Sequence, residues 1–135
     1  MKYKFLEHTA DVKFQSYGKT IEEAFENAAY ALKEVMFGKI KIKEKVKRTI
    51  KVEGKDNESL LQSFLEQFLY LLDAENFVFN KVKVKIKDNK LEAEVWGDLA
   101  SSYRFSNDVK AVTYNQMFVR QISCRKFACQ VVLDV

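Results

Sequence analysis

The stretch EHTADVK, residues 7–13, places a histidine and an aspartate three positions apart between two apolar segments. His8 is the only histidine in the chain, so any imidazole chemistry depends on it. His8 and Asp11 have the residue types of a general base and its orienting carboxylate. A hydrolase would also need a nucleophile, and the sequence contains neither a GxSxG elbow nor an HExxH helix. Asp11 as an ordinary turn or cap residue is the alternative, and the stretch alone leaves both open.

A second group of carboxylates lies in CQVVLDV, the apolar stretch that runs to residue 135. Asp134 and the terminal carboxylate of Val135 are adjacent there, and the stretch before them is typical of a buried strand. Carboxylate oxygens are the ligands that hard cations such as Ca²⁺, Mg²⁺ and Mn²⁺ prefer. With Asp11 nearby they would form an oxygen-ligand metal site, but only the fold can bring Asp11 to them.

Other site chemistries receive little support. Cys124 and Cys129 have no second pair to complete the four ligands of a tetrahedral zinc site, and we expect structural thiols in a reduced, cytoplasmic protein. The chain has only four glycines and they are not clustered, so no phosphate-binding loop is indicated and autonomous nucleotide catalysis is not expected.

Basic residues dominate two segments, 39–51 and 81–87, in which lysine alternates with apolar residues. These lysine ladders could form an RNA-binding face, or simply the solvated face of strands protected at their edges. The net charge is only +4, and no aromatic residue interleaves the ladders, as single-strand binders usually require. We therefore favour the solvated face and keep a direct RNA-binding or chaperone-like module as the alternative function.

The elements that must position these residues follow from hydrophobic periodicity. Residues 3–8 and 12–18 predict strands, and a helix follows with Thr20 as N-cap, Glu23 completing a capping box and Gly38 ending it. Residues 39–52 alternate as a half-buried strand whose first part suits a loop. A second helix, NESLLQSFLEQFLYLLDAEN, is predicted to start at a cap formed by Asp56 or Asn57.

The segment FVFNKVKVKIKDNKLEAEVWGDL predicts a β-hairpin with Asp88-Asn89 as a two-residue turn. This register puts Lys85 opposite Glu92, and Val84 opposite Ala93 on the buried face. AVTYNQMFVRQI and FACQVVLDV predict two further strands after a polar loop at 101–108.

The sum of these elements is a single α+β domain, residues 1–135. We expect two helices packed on a mixed, mostly antiparallel sheet of about seven strands. No apolar run approaches the roughly 18 residues that a membrane-spanning helix needs, and the N-terminal stretch lacks an apolar signal core.

Three short motifs together resemble the archease family: HTADV at 8–12, KAVTY at 110–114 and VVLDV at 131–135. LLDAE at 71–75 and WGD at 96–98 are similar to family segments as well, so the resemblance spans essentially the whole chain. It implies a cofactor protein for the GTP-dependent, RtcB-type RNA ligase of tRNA splicing. Such a protein promotes guanylylation of the ligase histidine and multiple turnover, meets tRNA indirectly through the ligase, and is not itself an enzyme.

By the same resemblance, Asp11, Asp134 and Val135 bind a divalent metal, with Ca²⁺ expected in isolation and Mg²⁺ or Mn²⁺ as alternatives. Lys110 of KAVTY is marked as functionally important. His8 is then a structural group or an outer-sphere neighbour of the metal.

The chain departs from the family pattern at Lys13, where glycine is frequent, at Asn115, where histidine is frequent, and at WGD, where GE is more usual. Lysine tolerates positive φ poorly, so Lys13 raises a question about the backbone at that position. A metal-dependent hydrolase is the least favoured function, because no base or nucleophile accompanies the metal ligands.

Overall fold

The computed structural model describes residues 1–7 and 11–135, and in these residues it has seven strands and two helices. The strands are β1 (Tyr3–Leu6), β2 (Val12–Gly18), β3 (Val46–Glu53), β4 (Phe77–Lys87), β5 (Lys90–Leu99), β6 (Ala111–Ser123) and β7 (Lys126–Asp134). The helices are α1 (Ile21–Phe37) and α2 (Asn57–Glu75), and a 3₁₀ turn covers Ala100–Ser102. The α+β class predicted from the sequence is confirmed.

The strands are divided between two sheets instead of one mixed sheet. Sheet A has the order β1-β2-β7-β6 and sheet B the order β3-β5-β4. Every paired strand is antiparallel. The chain changes sheets twice, through α1 and through residues 100–110, which accounts for the division. Because β5 lies between β3 and β4, the crossover through α2 creates no hydrogen-bonded parallel pair.

Helix α1 begins and ends where the sequence predicts. The hydroxyl of Thr20 accepts a hydrogen bond from the Glu23 N–H at 3.1 Å, and Gly38 closes the helix with φ of 68°. The Glu23 carboxylate reaches back to the N–H of Lys19, one residue beyond the cap residue of a standard capping box. The apolar face of α1 is largely buried, and the helix contacts strands of both sheets.

Helix α2 is capped by Asp56, whose carboxylate accepts from the Ser59 N–H at 2.7 Å. Phe64 of α2 stacks on Phe25 of α1, with ring centroids 6.2 Å apart, and Phe68 packs against Phe79 of sheet B at 4.2 Å. These rings join the two helices and the sheet into one core.

The β4–β5 hairpin has the predicted register, including Lys85 opposite Glu92 and Val84 opposite Ala93. Asp88 and Asn89 both have positive φ, 52° and 60°, as a tight two-residue turn requires. Strand β3 begins only at Val46, so the first part of the predicted 39–52 strand is a loop. In the described part of the chain, neither helix has the length and apolar character needed to cross a membrane.

Candidate metal and partner site at one corner of sheet A

Three strands of sheet A meet at one corner, where β7 ends and β2 and β6 begin. Leu133 of β7 is paired with Val12 on one side and with Val112 on the other. One position further, Asp134 is paired with Ala111, and Asp11 directly precedes Val12. The central position of β7 thus brings Asp11 and Asp134 to the same end of neighbouring strands.

Asp134 combines a fixed backbone with an exposed side chain. Its carbonyl oxygen accepts a hydrogen bond from the Lys110 N–H at 2.7 Å, which extends the ladder by one step. Leu133 before it is fully buried, and Val135 after it packs against the hydrophobic core. Within the described residues, no hydrogen-bond donor or ion-pair partner engages the Asp134 carboxylate, so this oxygen donor faces solvent from an anchored strand.

The start of β6 is held by side chains of α2. Glu66 accepts a hydrogen bond from the Val112 N–H at 2.9 Å, and Gln62 donates to the Val112 carbonyl at 3.1 Å. Strand β6 lies at the edge of sheet A, so these two backbone groups have no strand partner on that side. The helix satisfies both groups and thereby fixes the segment that carries Lys110.

Lys110 borders a cleft of about 470 Å³ together with Asn107, Asp108, Val109 and Val135. The Asn107 side chain accepts a hydrogen bond from the Val109 N–H at 3.0 Å, and the Val109 side chain is buried. The Lys110 side chain is exposed. A lysine at this position, next to the Asp134 backbone and Val135, can contact a phosphate or carboxylate of a partner molecule.

The donor chemistry of the corner suits a hard cation. Asp11 and Asp134 offer carboxylate oxygens and Val135 a main-chain oxygen, the ligand type of Ca²⁺, Mg²⁺ and Mn²⁺. Among residues 1–7 and 11–135, no three Asp, Glu, His or Cys side chains cluster as a complete metal site. The expected site has only two such side chains in this part of the chain. His8 lies outside the described residues.

The departure from the family pattern at Lys13 has a structural answer. Lys13 lies within β2, paired with Val132, and its φ is not positive. Its ammonium donates to the Gln116 side chain at 2.8 Å. The strand conformation accepts lysine without strain, and the doubt about this backbone position is removed.

Asn115 lies in an irregular part of β6, where the register is interrupted between Thr113 and Phe118. Gln116, next to it, has a positive φ of 55°. The Asn115 side chain is exposed, and the backbone N–H of Asn115 donates a long hydrogen bond to the Thr113 hydroxyl oxygen at 3.3 Å. The sequence pattern predicts a regular strand here and gives no sign of this bulge.

An aromatic residue does lie between the two lysine ladders. The expected absence of one therefore does not support a simple solvated face. Trp96 lies across the sheet between Lys47 and Lys81, whose ammonium groups are 5.8 and 5.1 Å from its ring centroid. The ring belongs to β5, the strand between the two ladders. Continuing the predicted hairpin register by one pair would have found it.

Of the two cysteines, only Cys129 has the buried setting expected of a structural thiol. Cys129 is fully buried in β7, and burial raises the pKa of its thiol to about 12. Such a thiol is not a nucleophile at neutral pH. Cys124 is an exposed free thiol in the β6–β7 turn.

Comparison with known proteins agrees with this architecture. The model of the archease protein family matches residues 3–135. The chain is 42% identical to the protein archease of Pyrococcus furiosus, with 99% of both chains covered, and 39% identical to that of Methanosarcina mazei, with 99% of this chain and 96% of the relative covered. The solution structure of Methanobacterium thermoautotrophicum protein 1598 superposes with a TM-score of 0.84 at 33% identity, covering 99% of both chains.

Proposed function

The chain belongs to the archease family, and from this premise we propose that it is a non-enzymatic partner that activates an RNA ligase in tRNA processing. The specific partner we propose is the GTP-dependent, RtcB-type ligase of tRNA splicing. This protein would promote guanylylation of the ligase histidine and repeated turnover, and would meet tRNA through the ligase. We also propose a cytoplasmic location, in keeping with its two free thiols.

One observation carries this proposal: residues from the three motifs of the resemblance meet at one corner of sheet A. Asp11 precedes the first pair of β2 with β7, Asp134 ends β7, and Lys110 donates its N–H to Asp134. Motifs that are widely separated in the sequence thus form one surface that carries both acidic and basic groups. Such a surface suits contact with a metal ion and with the phosphates of a partner.

The acidic groups at this corner would hold a divalent cation. Asp11 and Asp134 supply side-chain carboxylates, and Val135 supplies its main-chain carboxylate. Ca²⁺ is the ion we expect in isolation, with Mg²⁺ or Mn²⁺ as alternatives. When bound, the ion supplies positive charge that binds phosphate oxygens. The ladder holds the exposed Asp134 directly after the buried Leu133, and Lys110 would add a second positive group beside the ion.

A single-turnover guanylylation assay of the ligase, with and without this protein, tests the proposal. We expect the protein to accelerate guanylylation, and Asp11→Asn or Asp134→Asn to remove that acceleration while leaving the fold unchanged. Glu92→Gln is the matched control, because Glu92 is an exposed carboxylate on β5 of sheet B and lies outside both the corner and the motifs of the resemblance. The isolated protein is expected to show no turnover of its own.

Two outcomes would contradict the proposal. Normal acceleration by both variants would remove Asp11 and Asp134 from the functional site. Unchanged ligase guanylylation in the presence of the unmodified protein would contradict the activator role itself.

A further inference from the structure

A basic groove runs along α1 and is lined by residues of sheet A on one side and of β4 in sheet B on the other. Two clefts, of about 770 and 790 Å³, form it. Lys2, Tyr30 and Lys81 line both clefts, so the two are continuous. The first cleft extends to the loop between α1 and β3, and the second to the β6–β7 turn.

The charge of the chain is concentrated in this groove. Nine basic and four acidic side chains line it, an excess of five, whereas the whole chain has an excess of four. The rest of the molecule is therefore close to neutral. Eight of the nine basic groups are lysines. Lysine is depleted at protein–protein interfaces, but it is an ordinary phosphate contact in nucleic-acid complexes.

The acidic side chains of the groove are already engaged by the protein. Glu26 accepts a hydrogen bond from the Val84 N–H at 2.8 Å, and Glu44 accepts from the Asn80 side chain at 2.7 Å. Glu34 accepts from the Tyr3 hydroxyl at 3.3 Å. By contrast, within residues 1–7 and 11–135 no carboxylate lies at ion-pair distance from the lysines shared by the two clefts. The cations thus remain available to an external anion.

Three aromatic rings in the groove or at its rim each have a lysine ammonium over one face. Measured from ammonium to ring centroid, the pairs are Lys2 over Tyr30 at 5.5 Å, Lys126 over Tyr17 at 5.4 Å and Lys81 over Trp96 at 5.1 Å. All three rings are partly exposed. The Tyr30 ring is fixed in place because its hydroxyl accepts from the Val82 N–H at 3.2 Å.

From this alternation of rings and cations we propose that the groove binds a single-stranded polynucleotide. Phosphates would contact the lysines while bases stack on the aromatic faces, the arrangement by which single strands are held without sequence preference. A cation–π contact at an exposed ring is weak, so each lysine moves from its ring to a phosphate at small cost. A duplex keeps its bases stacked on one another and cannot use the rings.

Trp96 is the only tryptophan in the chain, and it provides a direct signal. Titration with an oligouridine of about 12 nucleotides should quench its fluorescence as a base stacks on the ring. The affinity should fall steeply between about 50 and 200 mM salt, because phosphate contacts release counterions. An oligodeoxythymidine of equal length shows whether RNA and DNA bind alike. Binding of either one supports the proposal that the groove holds a single strand.

Substitutions localise the site. The pair Lys2→Gln and Lys81→Gln should lower the slope of log affinity against log salt by about 1.4, since each single-strand phosphate contact contributes about 0.7. The control pair, Lys85→Gln and Lys87→Gln, removes the same charge from the outer face of sheet B, beyond the groove. It should change the slope much less. Tyr30→Ala should weaken binding about fivefold or more, and Tyr30→Phe, which keeps the ring, should not.

Four results would overturn the inference. Three of them are no binding of either oligonucleotide at low salt, an equal effect of the control pair, and binding of duplex but not of single strands. If the Lys2 and Lys81 pair lowered ligase stimulation without affecting oligonucleotide binding, the groove would instead be a protein-docking surface, and the inference would be wrong. Circular dichroism of each variant verifies folding. The titration needs no ligase, so its result is independent of the activator role.

Discussion

Asp134 is exposed, while Leu133 directly before it is fully buried. The contrast has a functional use, because the strand fixes where the carboxylate is without removing it from water. A carboxylate on a mobile terminus would lose side-chain and backbone entropy on binding a cation. Here the Lys110 N–H and the β2–β7 ladder have already ordered the backbone.

The role of Val135 as a single metal ligand can be tested directly. Appending a few residues after Val135 converts its carboxylate into a neutral peptide group, so we expect the affinity for Ca²⁺ to fall by at least about tenfold, the lower end of what loss of an outer-shell partner costs a metal site. Isothermal titration calorimetry measures the change. An equally long extension before Met1 is the control. Equal Ca²⁺ affinity in both proteins would exclude Val135 from the ligands.

Helix α2 stabilises the corner of sheet A through two of its side chains. It contributes no residue to the carboxylate set, but Gln62 and Glu66 bind the backbone of Val112 and hold the edge strand β6 in line. Gln62 also donates to Glu66 at 3.3 Å, so the two side chains support each other. The position of Lys110 therefore depends on a helix that is distant from it in sequence.

Replacing Glu66 tests this dependence. Glu66→Ala leaves the Val112 N–H without its acceptor and should lower the free energy of unfolding by about 1.5–3 kcal/mol, the range for a hydrogen bond to a charged group. Glu66→Gln keeps an acceptor oxygen and should cost less. Urea denaturation measures both. We also expect Glu66→Ala to reduce ligase stimulation more than Glu66→Gln does, and equal values for the two variants would argue against the role of α2.

At the scale of the whole molecule, local features could be predicted from the sequence and long-range ones could not. The Asp88-Asn89 turn and the caps at Thr20 and Asp56 depend on neighbouring residues, and all three are confirmed. The division into two sheets was missed, because it depends on which distant strands pair. The carboxylates of the site were named from residue types and the resemblance. The placement of Asp11 and Asp134 at the same end of neighbouring strands depends on the pairing of β2 with β7, which is again a long-range feature.

The two connections between the sheets meet at Tyr103. Its hydroxyl donates to the Asp98 carboxylate at 2.8 Å and accepts from the Lys43 N–H at 2.9 Å. Lys43 belongs to the loop from α1 to β3, and Tyr103 to the segment from β5 to β6. The Tyr103 hydroxyl, together with the Leu99 N–H, holds the pKa of Asp98 below its ordinary value.

This junction makes stability depend on pH in a defined direction. Because the pKa of Asp98 is lower in the folded state, its ionised form stabilises the fold above the unfolded pKa of about 3.9, and that stabilisation is lost as the pH falls through the folded pKa. Asp98→Asn should therefore be less stable than the unmodified protein at pH 7, and the difference should narrow at pH 3. Urea denaturation at both pH values measures it. Asp73→Asn, an exposed carboxylate for which no such partner is described, is the control. A difference for Asp98→Asn that stays constant with pH would show that the Tyr103 contact does not depend on the charge of Asp98.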